Sequence, residues 1–533
     1  MKCRKFSFAA MAGLGVGFCF IAGNSLDTEY SLDLMHKSFY IKWLICSIIM
    51  GFLIHVSWEL CSKGMQCGGN IGNILKRAKV IGEGIEKKLS FPIIMFILLL
   101  FWMPAWLSVF PGVFSYDAYD EWMQICTGKI TAHHPVLHVL YIGGIAESIY
   151  QLSGSYNAGI AVCTAVQMIV VSAVFAYTIS FLRERNINPL LRLFAILFYG
   201  CSPVVQLFVI SGTKDIFFTA AFLLFIISIY RICLQRETFF ANKKWMRLFI
   251  VSSVFTMIMR NNGLYIVMLT LLIIMFLCRK NIKRYLLNCV IIIAIYTFYT
   301  GPFYDVLNVA DGGIEEMLSV PLQQIARVYA YEKESIPEDK LEYLHAIIPE
   351  KNWEAYRSTV SDFVKSGFRE EVFAENPARF IRIWVQIGLE HPLTYINSFL
   401  INTVDFWYPF AVIDGYQDAY GKSSYFDYRV SEPGTEVVLF PQIHGIYDSI
   451  SHDKETQRLP GMFLLLSPGW YLIIFLCLFL YLWRERHFRA MMPLLPVLIN
   501  FGTVLLGPIA LVRYVLILFF AFPMYSTLIW GKE

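Results

Sequence analysis

Long apolar runs recur along this chain, and most of them approach the length of a membrane-spanning helix. A helix needs about 20 residues to cross the hydrocarbon core of a bilayer. Only 16% of the residues are charged and 57% are apolar, whereas a soluble domain has about 25% charged residues. Inside lipid the backbone must satisfy its own hydrogen bonds, which favours helices for runs of this length. The sequence therefore predicts an all-α polytopic membrane protein.

About twelve transmembrane helices are predicted. They are roughly residues 7–24, 40–57, 91–111, 157–181, 191–209, 214–233, 247–260, 262–279, 284–302, 461–483, 488–506 and 509–530. The first of them follows a basic start and resembles a secretory signal peptide. No A-x-A-like cleavage site follows it, so we interpret it as a retained helix.

Clusters of Lys and Arg orient these spans. The clusters lie at 1–5, 63–90, 183–185, 231–247, 278–284 and 483–489. With a cytoplasmic N-terminus, twelve spans place every cluster on the cytoplasmic side, together with the C-terminus, as the positive-inside rule requires. The apolar segments 135–150 and 395–410 would disturb this order if they crossed. They are therefore predicted to be helices lying in the outer interface.

The predicted topology divides the chain into four parts. They are residues 1–90 with two spans and a basic cytoplasmic loop, 91–302 with the membrane core and an outer loop at 110–156, 303–460 as a helical extracytoplasmic region with an interfacial helix, and 461–533 with three C-terminal spans. Within the outer region, residues 413–460 are rich in Gly, Ser and Tyr and are predicted to be irregular loop.

Several classes of function are disfavoured by the sequence. A net charge of +4 is too small to indicate a nucleic-acid partner. The sequence contains neither a GxxxxGK[ST] nor a GxGxxG motif, so it gives no sign of a nucleotide site. The 12 cysteines lie mostly in apolar runs or basic loops and contain no CxxC pair. Neither a disulfide framework nor a zinc site is predicted.

Ionisable side chains at the mouths of spans indicate a functional site, because charge is costly inside a bilayer. On the predicted outer side they are Asp117 after the third span, Lys214 and Asp215 at the start of the sixth, Arg260 between the seventh and eighth, and Arg513 with Tyr514 one turn inside the last. Only cytoplasmic charges were used to orient the spans. The gathering of these residues on the opposite side is therefore a separate observation, and it predicts one site at the outer interface.

The loop SYDAYDEWMQICTGKITAHHP adds further candidates, namely Asp120, Glu121, His133 and His134. Carboxylates here could act as general bases, and the histidines before Pro135 could contact a substrate or phosphate. Structural alternatives remain open. Asp117 could be only a helix N-cap, and Asp120 and Glu121 could be solvated first-turn charges.

The later candidates have structural alternatives too. Lys214 and Asp215 could form a local pair, Arg260 could reach outward to headgroups, and Tyr514 could belong to an aromatic belt. His138 is interpreted as structural. As a set, these side chains suit the transfer of a group from a phosphate-bearing lipid. Cations would neutralise the leaving phosphate, and Asp117 would accept the proton of an acceptor hydroxyl.

These motifs resemble those of the GT-C membrane glycosyltransferases, the class of the protein O-mannosyltransferases and the lipid A aminoarabinose transferase. In that class an acidic motif in the first outer loop is followed by a short interfacial helix with an HPPL-like start. Here the acidic motif reads SYDAYDE and the helix begins HHPVLHVL. The motifs PG…D, HHP, TKD, RNNG and RY follow in order. The likeness covers 100–300 well and the last three spans loosely, closest to uncharacterised bacterial members.

The resemblance implies a GT-C-like fold that uses a polyprenyl-phosphate sugar donor and an extracytoplasmic glycan or lipid acceptor, with Asp117 as the base and the outer cations as phosphate ligands. It implies no metal for a monophosphate donor, whereas a pyrophosphate donor would make a divalent cation possible. Three departures leave the sugar and acceptor open. Val136 stands where the second proline of HPP would be, the acidic pair is spread over Asp117, Asp120 and Glu121, and two extra helices precede the acidic loop.

Two other functions remain in competition. A twelve-span transporter or lipid-carrier flippase is one, although such proteins show repeat symmetry and polar residues near the midplane. No repeat is visible in this sequence. An O-antigen-type polymerase or ligase is the other, and the large outer region late in the chain suits it.

Overall fold

The computed structural model describes residues 2–62, 82–84, 88–411, 426–525 and 528, and over these residues it is built from helices. The longer ones are α1 (Lys2–Glu29), α2 (Lys37–Ser62), α3 (Phe91–Ser108), α4 (Ala118–Thr127), α5 (Val136–Ser153), α6 (Tyr156–Glu184), α7 (Pro189–Cys201), α8 (Pro203–Val209), α9 (Lys214–Leu234), α10 (Lys243–Met259), α11 (Asn261–Met275), α12 (Ile282–Phe298), α13 (Ser319–Glu332), α14 (Glu338–Ile347), α15 (Pro377–Glu390), α16 (Pro392–Trp407), α17 (Pro441–His452), α18 (Pro468–Arg484) and α19 (Leu495–Val504). Extended pairing in the same residues is limited to isolated bridges.

Six helical segments of the described chain are long and apolar enough to cross a membrane. They are Phe6–Glu29, Lys37–Ser62, Phe91–Ser108, Tyr156–Glu184, Lys214–Leu234 and Asn261–Val306. Helices α7 and α8 are bent by 55° relative to each other at a short break, and they make a seventh span if the bent pair is counted as one. The predicted class, an all-helical membrane protein, is confirmed over these residues. The predicted number of twelve spans is not reached by length and composition.

The segment Asn261–Val306 contains two of the predicted spans. It is 46 residues long and passes through a 3-10 turn at Phe276–Asn281. The Tyr285 hydroxyl donates to the Leu271 carbonyl at 2.6 Å. In a straight helix these positions would lie about 21 Å apart, so the chain reverses at the turn. Helices α11 and α12 therefore lie side by side, as the predicted spans 262–279 and 284–302 require.

The last predicted span, 509–530, is wrong as a continuous helix. Its described residues form three short helical pieces, Val512–Val515, Ile517–Phe520 and Phe522–Tyr525. Most side chains from 511 to 521 are buried within the protein. Apolar periodicity does not distinguish such an internal core segment from a lipid-facing helix, which explains the error.

The helix at 247–260 is α10, which begins earlier than predicted, at Lys243, and has 17 residues. Two other predicted spans are shorter in the structure than the sequence suggested. The spans predicted at 461–483 and 488–506 correspond to the short apolar helices Pro468–Arg484 and Phe488–Val504.

The described residues contain two main cores. The larger lies among the apolar helices and includes Trp102, Tyr199 and Phe222. A second lies between 314 and 395 and includes Leu322 and Trp353. The predicted helical region after 303 thus contains a unit that buries its own apolar side chains.

The segment predicted as irregular loop, 413–460, is partly helical. Residues 412–425 lie outside the described part, but α17 is a regular helix, so the prediction is wrong there. Residues before α17 pair with the first polar loop. The Phe110 amide donates to the Val437 carbonyl at 3.1 Å, and the Ser431 amide to the Phe114 carbonyl at 2.7 Å. These bonds bring the late region of the chain to the site.

Candidate functional site

The polar loop that carries Asp117 begins where α3 ends, at the PG turn. Gly112 has a φ of +129°, and a Cβ there would lie 2.2 Å from Thr164 Oγ1. Only glycine adopts this turn against α6 without strain. The next residue is bonded to the loop before α9. The Val113 amide donates to the Ile210 carbonyl at 2.9 Å, and the Gly212 amide to the Val113 carbonyl at 2.8 Å. Two loops distant in sequence are thereby joined.

The start of α9 is held in place by side chains. Thr213 is its N-cap, and the hydroxyl accepts from the Asp215 amide, which satisfies a free donor of the first turn. From α6, the Gln167 amide donates to the carbonyls of Val209 and Ser211, both at 2.8 Å. These bonds fix the positions from which Lys214 and Asp215 project.

Asp117 lies at the centre of an ion-pair network. It occupies the N-cap position of α4, but its side chain makes no capping hydrogen bond. Its Oδ2 lies 2.8 Å from Lys214 Nζ and 3.1 Å from Arg513 Nη1. The structure therefore directs this carboxylate to cations from two other parts of the chain. The interpretation of Asp117 as a helix cap alone does not account for that geometry.

A second carboxylate continues the network. Asp215 is fully buried and pairs with Arg260 through Oδ1. Its Oδ2 accepts from the Thr213 hydroxyl at 2.9 Å and lies 3.7 Å from Arg513 Nη1. Lys214 and Asp215 thus point to different partners and are not a local pair. Arg260 is held by Asp215 and does not simply reach toward headgroups.

Aromatic rings enclose the two guanidinium groups. Arg513 lies over the Tyr116 ring at 4.7 Å and the Tyr514 ring at 5.2 Å, measured to the ring centroids. Arg260 also lies over the Tyr514 ring, 4.4 Å from its centroid. Cation–π contacts of this kind attract a guanidinium group to the ring face and help to hold it in place. Tyr514 therefore organises both arginines.

The two histidines before Pro135 occupy different environments. His134 is buried, and its Nδ1 lies 2.9 Å from Lys214 Nζ. An ammonium group can only donate, so Nδ1 accepts and the ring proton of neutral His134 belongs on Nε2. His133 is exposed and packs edge to face on His134 with centroids 4.6 Å apart. His133 and the exposed Asp120 lie at the rim of the cluster.

Glu121 lies behind this cluster. It is buried and pairs with His138, which joins α4 to α5. Its Oε1 lies 3.9 Å from His134 Nδ1. The interpretation of Glu121 as a solvated first-turn charge is wrong, because packing of α4 on α5 removes it from water. Glu121 therefore links His138 to the residues behind His134 and helps to hold α4 against α5.

The electrostatics set the protonation of the site. Burial alone would raise the pKa of Asp117, but the charges of Arg513 and Lys214 hold it well below the usual value. Burial, reinforced by the Lys214 charge, lowers the pKa of His134 to about 3. The pKa of Asp120 is raised by partial burial and by the nearby Asp117 charge. At neutral pH, Asp117 is ionised and His134 is neutral.

Three of these residues have a spacing that could suit a divalent cation. Donor atoms of Asp117, Glu121 and His134 lie within 4.8 Å of one another. However, the Lys214 ammonium lies within hydrogen-bond distance of both Asp117 and His134. Lys214 already supplies the positive charge that this group of donors requires, so a metal would have to displace it.

Nine of the ten predicted site residues are joined by direct contacts, and the exposed Asp120 lies at the rim beside them. The nine are Asp117, Glu121, His133, His134, Lys214, Asp215, Arg260, Arg513 and Tyr514. Two residues of the site, Tyr116 and Thr213, were not singled out from the sequence, and His138 was interpreted only as structural. Tyr116 and Thr213 directly precede Asp117 and Lys214, so their adjacency was the available signal. For the pairing of His138 with Glu121 the sequence contains no signal beyond the residue types.

The chain was compared with known proteins. No curated protein and no solved structure matches it. A family profile described as a family of unknown function, DUF6020, matches residues 125–533. The matched range contains His134, Lys214, Arg260 and Arg513, and it begins eight residues after Asp117. Because the match covers more than half of the chain, the protein belongs to the DUF6020 family.

Proposed function

We propose that this protein is a GT-C-type membrane glycosyltransferase that moves a sugar from a polyprenyl-phosphate-linked donor to an extracytoplasmic glycan or lipid acceptor. The observation that carries the proposal is the position of Asp117. One carboxylate, at the N-cap of α4 in the loop that follows the apolar helix α3, lies against both Lys214 and Arg513. That arrangement supports the proposal, because in it Asp117 would act as the base and the two cations would bind the donor phosphate.

The proposed chemistry uses each charged group once. The acceptor hydroxyl attacks the anomeric carbon, and the bond from that carbon to the phosphate oxygen breaks with its electron pair on the phosphate. Lys214 and Arg513 stabilise this charge. Asp117 takes the proton of the hydroxyl. His134 positions Lys214, and Asp215 positions Arg260 as a further phosphate ligand. No metal is used in this scheme.

The remaining parts of the proposal follow from the same site. Asp120 and His133, at the exposed rim, are proposed to contact the sugar or the acceptor. Glu121 is proposed to support His134 from behind. The fold is proposed to be GT-C-like with about twelve crossings, both termini cytoplasmic and the site on the outer face. The basic clusters in the loops support that orientation.

Transfer from defined donors tests the proposal. Purified protein is incubated with a panel of radiolabelled polyprenyl-phosphate sugars and an extract of cell-envelope glycans and lipids. We expect one donor to be consumed with transfer of label, and we expect Asp117→Asn to lose at least about a hundredfold of that rate. The matched control is Asp120→Asn, one turn away on the rim, with a smaller loss. Full turnover by Asp117→Asn would reject the base.

A transporter or lipid-carrier flippase is the second candidate. One observation favours it, namely the 55° bend between α7 and α8, because broken helices bind substrates in transporters. The end of α8 lies next to the loop that carries Lys214. Uptake of a labelled solute or lipid carrier into proteoliposomes, without any sugar transfer, would favour this candidate over the glycosyltransferase.

A further inference from the structure

The proposed function leaves one difficulty at Asp117. Oδ2 is its closest atom to His134, Lys214 and Arg513, and the shortest of these contacts are those to Lys214 and Arg513. A carboxylate paired in this way is stabilised in its charged form and is a poor base. The two cations that mask it are also the ones that a donor phosphate requires. Lys214 and Arg513 cannot pair with Asp117 and bind the donor phosphate at the same time.

We infer that the donor phosphate replaces Asp117 as the partner of Lys214 and Arg513, so that Asp117 becomes an effective base only after the donor is bound. The inference rests on the proposed function and adds an order to it. The donor binds first, the carboxylate is released, and the acceptor hydroxyl is then deprotonated. The enzyme is thereby prevented from activating a hydroxyl before a sugar is in place.

The geometry identifies the Asp117 pairs as the exchangeable ones. The Asp117 side chain retains 22% exposure, whereas Asp215 is completely buried. Lys214 also lies 2.9 Å from Nδ1 of neutral His134, and Arg513 also lies 3.7 Å from Asp215 Oδ2. A ligand that reaches the site therefore meets the cations on the Asp117 side. Asp215 stays with Arg260 and Thr213 and keeps the site assembled.

The charge of the network indicates the class of phosphate. The three cations Lys214, Arg260 and Arg513 face two carboxylates, Asp117 and Asp215, which leaves one positive charge. Glu121 is left out of this count because it lies behind the cluster, where its closest partner is His138 and not one of the three cations. A singly charged phosphodiester makes the network neutral, whereas a doubly charged pyrophosphate diester leaves it negative. The structure therefore favours a monophosphate carrier.

The same balance holds through the reaction. When the bond between the sugar and the phosphate breaks, the carrier phosphate gains one negative charge. Asp117 loses one by taking the proton of the acceptor hydroxyl. The net charge of the site is thus the same before and after transfer, with no co-reactant required. In a low-dielectric site this constancy keeps the barrier low, since no charge has to be created.

Release of Asp117 also changes its titration, and all the charged neighbours must be considered. They are Lys214 and Asp215 from α9, His133 and His134 before α5, Asp120 and Glu121 on α4, Arg260 before α11, and Arg513 with Tyr116. Of these, the two close cations change partners when an anion binds. The bound phosphate then adds a negative charge nearby, which also favours protonation of Asp117.

Infrared titration of the full-length protein tests the exchange. The band of a protonated carboxyl that disappears in Asp117→Asn is followed against pH, with and without methyl farnesyl phosphate, which is a singly charged phosphodiester. We expect the midpoint to rise by at least about one pH unit when this probe binds. Lys214→Met should raise the midpoint without the probe and weaken probe binding about tenfold. The control is Lys333→Met, because Lys333 lies in the separate unit between 314 and 395. It should change neither the Asp117 midpoint nor the binding of the probe.

The outcomes separate this inference from the function on which it rests. Binding of the probe with an unchanged Asp117 midpoint would overturn the exchange and leave the phosphate site intact. Failure of the probe to bind would remove the phosphate site and with it the proposed function. Tighter binding of the methyl farnesyl diphosphate diester than of the monophosphate would overturn the charge argument alone. Dimethyl farnesyl phosphate, a triester without charge, should not bind.

Discussion

At the scale of single residues, Asp117 Oδ2 is the atom at which separate parts of the chain meet. Lys214 lies about a hundred positions later in the sequence and Arg513 comes from the last predicted span, yet both reach this oxygen within 3.1 Å. Buried His134 accepts from the same lysine. Burial and the charged neighbours set the pKa of Asp117 and of His134, which makes the site sensitive to single substitutions.

His134 predicts a dependence of stability on pH. Its pKa is about 3 in the folded protein, against an ordinary value of 6.5. Between these values the unfolded chain binds a proton that the folded protein does not, so stability falls as the pH falls below 6.5. The loss between pH 6.5 and 5 is about 2 kcal/mol. Unfolding in mild detergent measures it, and His134→Asn should show a shallower dependence. Equal slopes for both proteins would contradict the prediction.

Asp215 predicts a large loss of stability. It is fully buried and holds Arg260, so Asp215→Asn leaves a mostly buried guanidinium without its counter-charge. Removal of one partner from such a pair costs about 3 kcal/mol or more. Denaturant titration in detergent gives the change in unfolding free energy. Asp362→Asn is the control, because its contact with Lys365 is partly exposed and shared with Glu316; it should cost less than about 1 kcal/mol.

At the scale of elements, the site depends on close packing of α4 against α5. Helix α4 carries Glu121, and the loop before α5 carries His134. The two helices approach at Gly143, where a Cβ would lie 2.9 Å from the Glu121 carbonyl oxygen and 3.0 Å from Trp122 Cα. Backbone atoms cannot move aside as a flexible side chain could. A small residue at this position therefore keeps Asp117 and Glu121 in register with His134 and His138.

Two neighbouring glycines of α5 test this packing. Gly143→Ala forces α4 away and should lower the free energy of unfolding by about 1–3 kcal/mol. Gly144 has no atom within 4 Å of the position of an added Cβ. Gly144→Ala should therefore be neutral or stabilising by up to about 1 kcal/mol, through helix propensity. Thermal unfolding of both variants in detergent measures the difference. Equal stability of the two would show that the close approach does not matter.

At the scale of the whole molecule, the described residues combine six long apolar helices with a separate unit between 314 and 395 that has its own core. The positive-inside rule predicts that the basic clusters orient these helices and that the site opens on the outer side.

Cysteine labelling tests the orientation. In a background without native cysteines, Asp120→Cys on the site rim should react with a membrane-impermeant maleimide in intact cells, because the positive-inside rule places this rim outside. Lys280→Cys, in the basic turn between α11 and α12, should react only after lysis. The reverse pattern would invert the topology and place the site in the cytoplasm.

Particular residues show how far the sequence could be interpreted. Asp117, Lys214, Arg260 and Arg513 could be chosen because an ionisable group beside an apolar span needs a reason to be there. Their partners could not be assigned. The adjacent Lys214 and Asp215 have different partners, because Lys214 pairs with Asp117 and Asp215 pairs with Arg260. Glu121 is directed into the protein and pairs with His138. Such pairings depend on distances of a few ångströms, which no residue spacing encodes.

The sequence by itself determined the helical membrane class, because the length and apolar character of a run limit what its backbone can do in lipid. It also determined that charged groups occur at the ends of those runs. Only the tertiary structure decided that Asp117 shares one oxygen between two cations, and that residues 511–521 form an internal segment in short helical pieces. The reason is physical: hydropathy reports how favourable it is to leave water, and packing alone decides which groups then meet.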